Sequence, residues 1–226
     1  MAKPRRIILV RHGQSIANAR KEEHAVTPDY ALWLTDLGHS QARKAGETIR
    51  NIVGNERVRF YVSSYRRTRE TFGNIVKSFE SGQYDYRDDP RLRELEWNRQ
   101  FNSDTYRDES VARDAYGKFY YRFMGGENCC DVYDRISGFL DTLHRDFHKP
   151  DYPENTVIVG HGMMNRVFLM RWFHWSVEYF DAIKNPKNAA VWVLEKQPDD
   201  KYKLVTPLEF YEKPTHPFQF ELNIGS

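Results

Sequence analysis

The sequence predicts an α/β fold, a three-layer α/β/α sandwich with a mostly parallel central sheet. Two short apolar runs, residues 5–10 and 156–160, are typical of strands buried on both faces, and a His-Gly pair follows each. Segments with apolar residues at helical spacing alternate with these runs. Such alternation favours a parallel sheet, in which side chains at the carboxyl ends of the strands share one edge.

The other elements follow from local pattern. A helix is predicted at residues 35–53, where apolar residues recur every three or four positions and Thr35 or Asp36 can cap the start. The strongest helical stripe covers residues 127–147. The remaining predictions are a strand at 57–63, helices at about 66–79 and 110–123, a helix after His161-Gly162, and two strands within 189–206.

Composition excludes several classes of protein. The 226 residues suit one domain or two at most. Hydrophobic residues make up 40% and aromatic residues 15%, enough for a core, which excludes global disorder. With 34 basic and 32 acidic side chains the formal net charge is +2, which gives no reason to expect a nucleic-acid partner.

No apolar run approaches the roughly 18 residues of a membrane span, and only four apolar residues precede Arg11, too few for a signal peptide. The two cysteines, Cys129 and Cys130, are adjacent, and neighbouring cysteines seldom form a disulfide. We therefore expect a cytoplasmic protein without a membrane span. The sequence carries no sign of its oligomeric state.

Reactive side chains stand directly after the predicted strands. Arg11 and His12 follow the first, Arg67 follows the second, and His161 follows the later one, while Glu94 lies in a short polar stretch. A neutral imidazole can attack a phosphomonoester and form phosphohistidine, while guanidinium groups hold the charged oxygens. A carboxylic acid can protonate the leaving alkoxide and later deprotonate water. Such chemistry needs no metal or other cofactor, and no spacing typical of metal ligands is present.

At this point the sequence resembles the histidine phosphatases, also called the phosphoglycerate-mutase-like superfamily. The matching stretches, in family order, are LVRHGQS (9–15) with Asn18, LTDLG (34–38), VSSYRRT (62–68) with Thr71, LRE (92–94), GE (126–127) and VGHG (159–162). A closer similarity, to the branch of plant phosphoglycerate-mutase-like proteins and fungal acid phosphatases, comes from TPDY (27–30), FYYRF (119–123), DVYDR (131–135) and RVFLM (166–170).

The resemblance implies a role for each matching side chain. His12 would be the phosphorylated nucleophile. The phosphoryl oxygens and the substrate would be held by Arg11, Asn18, Arg67, His161 and Gly162. Glu94 would be the proton donor, with Glu96 as the alternative. Two positions depart from the family pattern: Gln14 stands where Glu is common, and Asn98 stands where Gly is usual.

The resemblance also implies a phosphoglycerate-mutase-like fold, with one catalytic domain at residues 1–206 and an inserted cap or substrate segment at about 81–126. Three prolines, Pro207, Pro214 and Pro217, indicate an extended tail at 207–226. We expect a metal-independent phosphatase, a hydrolase acting on small-molecule phosphomonoesters. A bisphosphoglycerate-dependent phosphoglycerate mutase is the alternative, although residues 95–125 lack the substrate-loop pattern of true mutases. A non-catalytic binding member is a third possibility, which the presence of every catalytic residue disfavours.

Overall fold

The computed structural model describes residues 3–97 and 103–212. Its strands are β1 Arg6–Arg11, β2 Val58–Val62, β3 Tyr84–Asp88, β4 Asn155–Gly160, β5 Val191–Lys196 and β6 Tyr202–Leu204. Its α-helices are α1 Ile16–Ala19, α2 Glu23–Val26, α3 Asp36–Val53, α4 Arg66–Ile75, α5 Ser103–Tyr116, α6 Cys129–Phe147, α7 Gly162–Phe173 and α8 Val177–Ala182. Short 3-10 turns lie at Asp29–Ala31, Val76–Ser78 and Pro90–Leu92.

Within these residues the strands form one mixed, mostly parallel sheet in the order β3-β2-β4-β1-β5-β6. The four strands from β3 to β1 are parallel, and β5 and β6 are antiparallel to their neighbours. The two central strands, β4 and β1, are the apolar runs of the sequence, buried on both faces. The predicted α/β class with a mostly parallel sheet is confirmed.

The core lies on both faces of the sheet, because successive side chains of a strand point to opposite sides. Ile7 and Leu9 of β1 belong to a cluster that includes the apolar stripes of α6 and α7. Ile8 and Val10 belong to a second cluster, which includes residues of α3 and α4. The helices therefore cover the sheet in two layers, as the three-layer prediction requires.

The helix predictions hold where capping signals are clear. Thr35 caps α3 by accepting a hydrogen bond from the Gly38 N–H at 3.1 Å, and Asn128 forms a capping box at the start of α6. The prediction of a helix at 110–123 is wrong in its bounds: α5 is Ser103–Tyr116. Gly117 follows the helix directly, and its φ of 112° is one that a residue with a side chain rarely adopts.

Strand β3 was not predicted. Its sequence, Tyr-Asp-Tyr-Arg-Asp, lacks an apolar run because it is the edge strand and four of its five residues are exposed. Tyr84 and Tyr86 lie on one face, against the ring of Phe72. Part of the segment 81–126 thus belongs to the central sheet.

Two further sequence features have structural counterparts. Phe119 and Phe123 of the aromatic stretch are buried in the core, whereas Tyr116 and Tyr120 are exposed. Residues 207–212 run along the molecule, with a β-bridge between Phe210 and Ile183. The rest of the predicted tail and Asn98 lie outside the described residues. None of the helices in the described ranges is long and apolar enough to cross a membrane.

Candidate active site

Three adjacent parallel strands, β2, β4 and β1, are followed by the predicted residues Arg67, His161 and His12. Strands β1 and β4 pair with Arg11 opposite Gly160, so His12 and His161 leave the sheet at the same level. The backbone N–H of His12 donates to the Gly160 carbonyl at 2.9 Å, and the two imidazole rings lie 5.3 Å apart in an edge-to-face arrangement. The parallel register brings the two histidines together at one sheet edge, as predicted.

One hydrogen bond determines the tautomer of His12. Its Nδ1 lies 2.7 Å from the Gly13 carbonyl oxygen, and a carbonyl oxygen can only accept, so Nδ1 carries the proton. Burial, together with the positive charges of Arg67 and Arg11, lowers the pKa of His12 well below its ordinary value of 6.5. The ring is therefore neutral near pH 7, and Nε2 holds a free lone pair.

His161 is completely buried at the start of α7. Its Nε2 shares a hydrogen bond of 2.8 Å with the hydroxyl of Ser63, which follows β2. Its Nδ1 has no hydrogen-bond partner among the described residues. Burial and the nearby charge of Arg67 lower the pKa of His161 well below 6.5, so this ring is neutral too.

Two arginines supply positive charge beside these rings. Arg11 donates from Nη1 to the Pro186 carbonyl, and its buried Nε has no partner among the described residues. Burial lowers the pKa of Arg11 from its ordinary value. Arg67, 4% exposed, forms an ion pair with Asp29 and lies over the Tyr65 ring. The positive charges of both arginines act on both imidazole rings.

Glu94 and Glu96 differ sharply in environment. The Glu94 carboxylate accepts hydrogen bonds from the backbone N–H groups of Met163 and Met164, each at 3.1 Å, at the positive end of α7. The charges of Glu94 and Arg11 interact. Glu96 is exposed. The structure therefore brings Glu94, and not Glu96, to the helix that begins beside His161.

Sequence reasoning missed the residue that holds the Glu94 loop. The Arg135 guanidinium, on α6, donates to the backbone carbonyls of Arg91, Arg93 and Glu94 at 2.6 to 3.1 Å and pairs with Glu127. Its side chain is only 9% exposed. The signal was present in the matched stretches, since Glu127 and Arg135 belong to GE (126–127) and DVYDR (131–135).

Asn18 and Gly162, which the resemblance places in substrate binding, both make structural contacts. Asn18 Oδ1 accepts hydrogen bonds from the Ser15 N–H and from Asn188, which leaves its amide nitrogen for a ligand oxygen. Gly162 is the first residue of α7, and a Cβ atom there would lie 2.3 Å from Asn185 Oδ1. Its place in substrate binding stays a prediction.

The LTDLG stretch (34–38) packs against the loop that carries His12 and Gly13. A Cβ atom on Gly38 would lie 2.1 Å from the Gln14 carbonyl oxygen, and one on Gly13 would lie 2.3 Å from the Gly38 carbonyl oxygen. Both positions need glycine because two backbones touch there. The Thr71 hydroxyl completes the support by accepting from the Gly13 N–H at 3.1 Å.

Comparison with known proteins identifies a matching family. The model of the histidine phosphatase superfamily (branch 1) matches residues 7–206. Phosphoglycerate mutase-like protein AT74 of Arabidopsis thaliana is 40% identical over 214 residues, covering 89% of this chain and 68% of the relative. Broad-range acid phosphatase DET1 of Saccharomyces cerevisiae is 28% identical over 287 residues, covering 86% of each chain.

Solved structures share the fold. Mycobacterial hydrolase 1 superposes with a TM-score of 0.72 at 20% identity, covering 92% of this chain and 99% of the other. A mycobacterial glucosyl-3-phosphoglycerate phosphatase in complex with VO3 gives a TM-score of 0.67 at 22% identity, covering 89% and 98%. These similarities confirm the phosphoglycerate-mutase-like architecture.

Proposed function

The chain belongs to the histidine phosphatase superfamily, and on that premise we propose that it is a phosphatase that hydrolyses phosphomonoesters, without a metal ion, through a phosphohistidine on His12. One observation carries the proposal. The Nδ1–H of His12 donates to the Gly13 carbonyl, and the ring is kept neutral by burial and by the charges of Arg67 and Arg11, so Nε2 is available as a nucleophile.

In the first half-reaction, Nε2 of His12 attacks phosphorus and the bond from phosphorus to the ester oxygen breaks. Glu94 gives its proton to the leaving oxygen, and the alcohol departs. Positive charge from Arg11 and Arg67, with hydrogen bonds from His161 and Asn18, stabilises the transferred phosphoryl group. In the second half-reaction, Glu94 removes a proton from water, which attacks phosphorus and releases inorganic phosphate and free His12.

We propose that the protein hydrolyses phosphomonoesters of chemically different alcohols. The name of the yeast relative, a broad-range acid phosphatase, supports this proposal. Comparing phosphate release from aryl, sugar and small-acid phosphates tests it, and a strict preference for small-acid phosphates would contradict it.

The cytoplasm stays our proposed location, which fluorescence of a tagged chain in cells would test.

The decisive experiment incubates purified protein with 3-phosphoglycerate or an aryl phosphate in EDTA, with and without 2,3-bisphosphoglycerate. Inorganic phosphate and 2-phosphoglycerate are followed together. We expect phosphate release without isomerisation, and isomerisation stimulated by the bisphosphate would show a mutase instead. Loss of activity in EDTA that added metal restores would overturn metal independence.

Two variants test the nucleophile. His12→Ala should abolish turnover and acid-labile phosphate labelling of the protein. His148→Ala, which changes an exposed histidine at the end of α6, is the matched control and should keep both. Turnover that survives in His12→Ala would overturn the proposed mechanism.

A further inference from the structure

The strongest feature that the mechanism leaves unexplained is the pairing of Arg67 with Asp29. Arg67 Nη1 and Nη2 each lie 3.1 Å from one carboxylate oxygen of Asp29, and Nη1 also donates to the Asp29 backbone carbonyl. Arg67 and Asp29 side chains are 4% and 17% exposed. A guanidinium group has five N–H donors, so Asp29 takes three of them.

The two donors that remain form a pair. The Asp29 carboxylate faces the end of the guanidinium group and accepts one hydrogen bond from Nη1 and one from Nη2. The Asp29 backbone carbonyl accepts from the other hydrogen of Nη1. The Nε–H and the second hydrogen of Nη2 are left, and they point the same way along one edge. Neither donates a further hydrogen bond to the residues that the structure describes. Two parallel N–H groups match two oxygens of a phosphoryl group.

Hydrogen bonds before and after Asp29 fix the backbone segment that carries it. Asp29 begins a 3-10 turn after Pro28, closed by a hydrogen bond of 2.8 Å from the Ala31 N–H to the Pro28 carbonyl. Upstream, the Thr27 N–H donates to the Glu23 carbonyl in α2, at 2.9 Å. Downstream, the Leu34 N–H donates to Glu70 of α4, the helix that carries Arg67, at 2.7 Å. The backbone segment that carries Asp29 is therefore fixed to α2 and to α4, the helix of Arg67.

We propose that Asp29 is a positioning residue, which fixes the Arg67 guanidinium so that its Nε and Nη2 edge faces the phosphoryl group. This inference rests on the proposed function. A carboxylate beside a phosphate-binding arginine could instead compete with the phosphate for that arginine. The geometry favours positioning, because Asp29 takes the end of the group and leaves a complete pair of donors.

The test is a double-mutant cycle with Asp29→Asn and Arg67→Lys. Asparagine keeps the size of the side chain but has only one acceptor oxygen, so it cannot hold both Nη atoms. Asp29→Asn should lower kcat/KM about tenfold or more, because misplacing a charged group by about 1 Å can cost two orders of magnitude. In the Arg67→Lys background, which has no edge to position, it should change kcat/KM less than about twofold.

Direct binding provides a second readout. Orthovanadate resembles the transition state and phosphate resembles the product, so loss of positioning should weaken vanadate binding more than phosphate binding. Glu22→Gln removes an exposed carboxylate from the same segment and should leave all values unchanged within about twofold. Asp29→Glu, which retains a carboxylate, should recover part of the lost activity, and thermal melts establish that each variant is folded.

Each outcome has a definite meaning. An equal loss from Asp29→Asn in both backgrounds would overturn the positioning role, and so would tighter vanadate binding by Asp29→Asn, which would show competition. If the unaltered protein releases phosphate from no ester, the proposed function fails, whereas the vanadate measurements still test the role of Asp29 at an anion site.

Discussion

The carboxylate of Glu94 accepts a hydrogen bond of 3.1 Å from the backbone N–H of Met163, which lies 69 residues further along the chain. The contact joins the proposed acid to the first turn of α7. That helix begins directly after His161, so Glu94 and His161 are held by one backbone segment. A shift of either group would disturb the other.

Replacing Glu94 by Gln should remove the proton donor and most of the activity toward alkyl phosphates, by a factor of about 10² to 10⁴. The loss should be smaller for an aryl phosphate with a good leaving group, because such an oxygen departs without a proton. Glu96→Gln should stay within about twofold of the unaltered protein, since Glu96 is exposed. Steady-state kinetics with both ester types measures this difference, and the reverse ranking of the two variants would move the acid to Glu96.

Arg135→Ala should loosen the loop that carries Glu94, because three backbone carbonyls lose their donor. The free energy of unfolding should fall by about 3 kcal/mol, as expected when a buried ion pair loses one partner. Activity should fall about tenfold or more at a temperature where the variant is folded. Arg145→Ala, on an exposed position of the same helix, is the control. Unchanged urea unfolding and activity in Arg135→Ala would show that the loop does not depend on Arg135.

Activity should persist into acidic solution. In the proposed mechanism His12 attacks as a neutral ring. Burial and two nearby arginines lower the pKa of His12, so the ring gains a proton only well below pH 6.5. The acid-side fall in kcat/KM that belongs to this histidine should therefore lie below pH 6.5. The measurement is a profile of kcat/KM against pH at constant ionic strength. An acid-side fall with its midpoint near pH 6.5, the pKa of an unperturbed histidine, would contradict this expectation.

The free energy of unfolding should also fall as the pH drops below 6.5. His12 and His161 have lowered pKa values in the folded state, so below pH 6.5 the unfolded chain binds protons that the folded chain does not. Each such proton costs the folded state about 1.4 kcal/mol per pH unit. Urea unfolding at pH 7.5 and 5.5 should show this loss, and His12→Asn should reduce it, unlike the exposed control His148→Asn. Equal pH dependence in both variants would refute the assignment.

Two glycine replacements should act in opposite directions. Gly38→Ala places a Cβ atom 2.1 Å from a backbone oxygen of Gln14, so the loop that carries His12 must move, and the free energy of unfolding should drop by about 3 kcal/mol. Gly73→Ala in α4 meets nothing within 4 Å and should stabilise the protein by roughly 0.5–1 kcal/mol. Denaturant melts compare the two, and a tolerated Gly38→Ala would show that this backbone contact can relax.

The sequence predicted the buried strands, the capped helices and the meeting of His12 with His161, because each depends on a local pattern. Apolar runs identify β1 and β4, and parallel pairing then brings their ends together. The choice of Glu94 over Glu96 followed from the family resemblance and stays a prediction. The structure shows the Glu94 carboxylate at the first turn of α7.

Other features could not be predicted because they depend on contacts between distant residues. Strand β3 has no apolar run, since it is an edge strand whose partner β2 supplies the core side chains. Asp29 and Arg135 are charged residues in polar segments, where the usual expectation is a solvated surface. Only the folded chain shows that Asp29 meets Arg67 and that Arg135 meets three carbonyls.

The register between β1 and β4 has a consequence for local opening of the chain. Both strands have a neighbour on each side, so their amides, such as those of Leu9 and Val159, should exchange hydrogen only when the whole domain unfolds. His12 and His161 are one residue beyond those ladders. The backbone positions of the two histidines therefore keep their spacing for as long as the domain stays folded. Any movement that admits substrate must then occur in the surrounding loops.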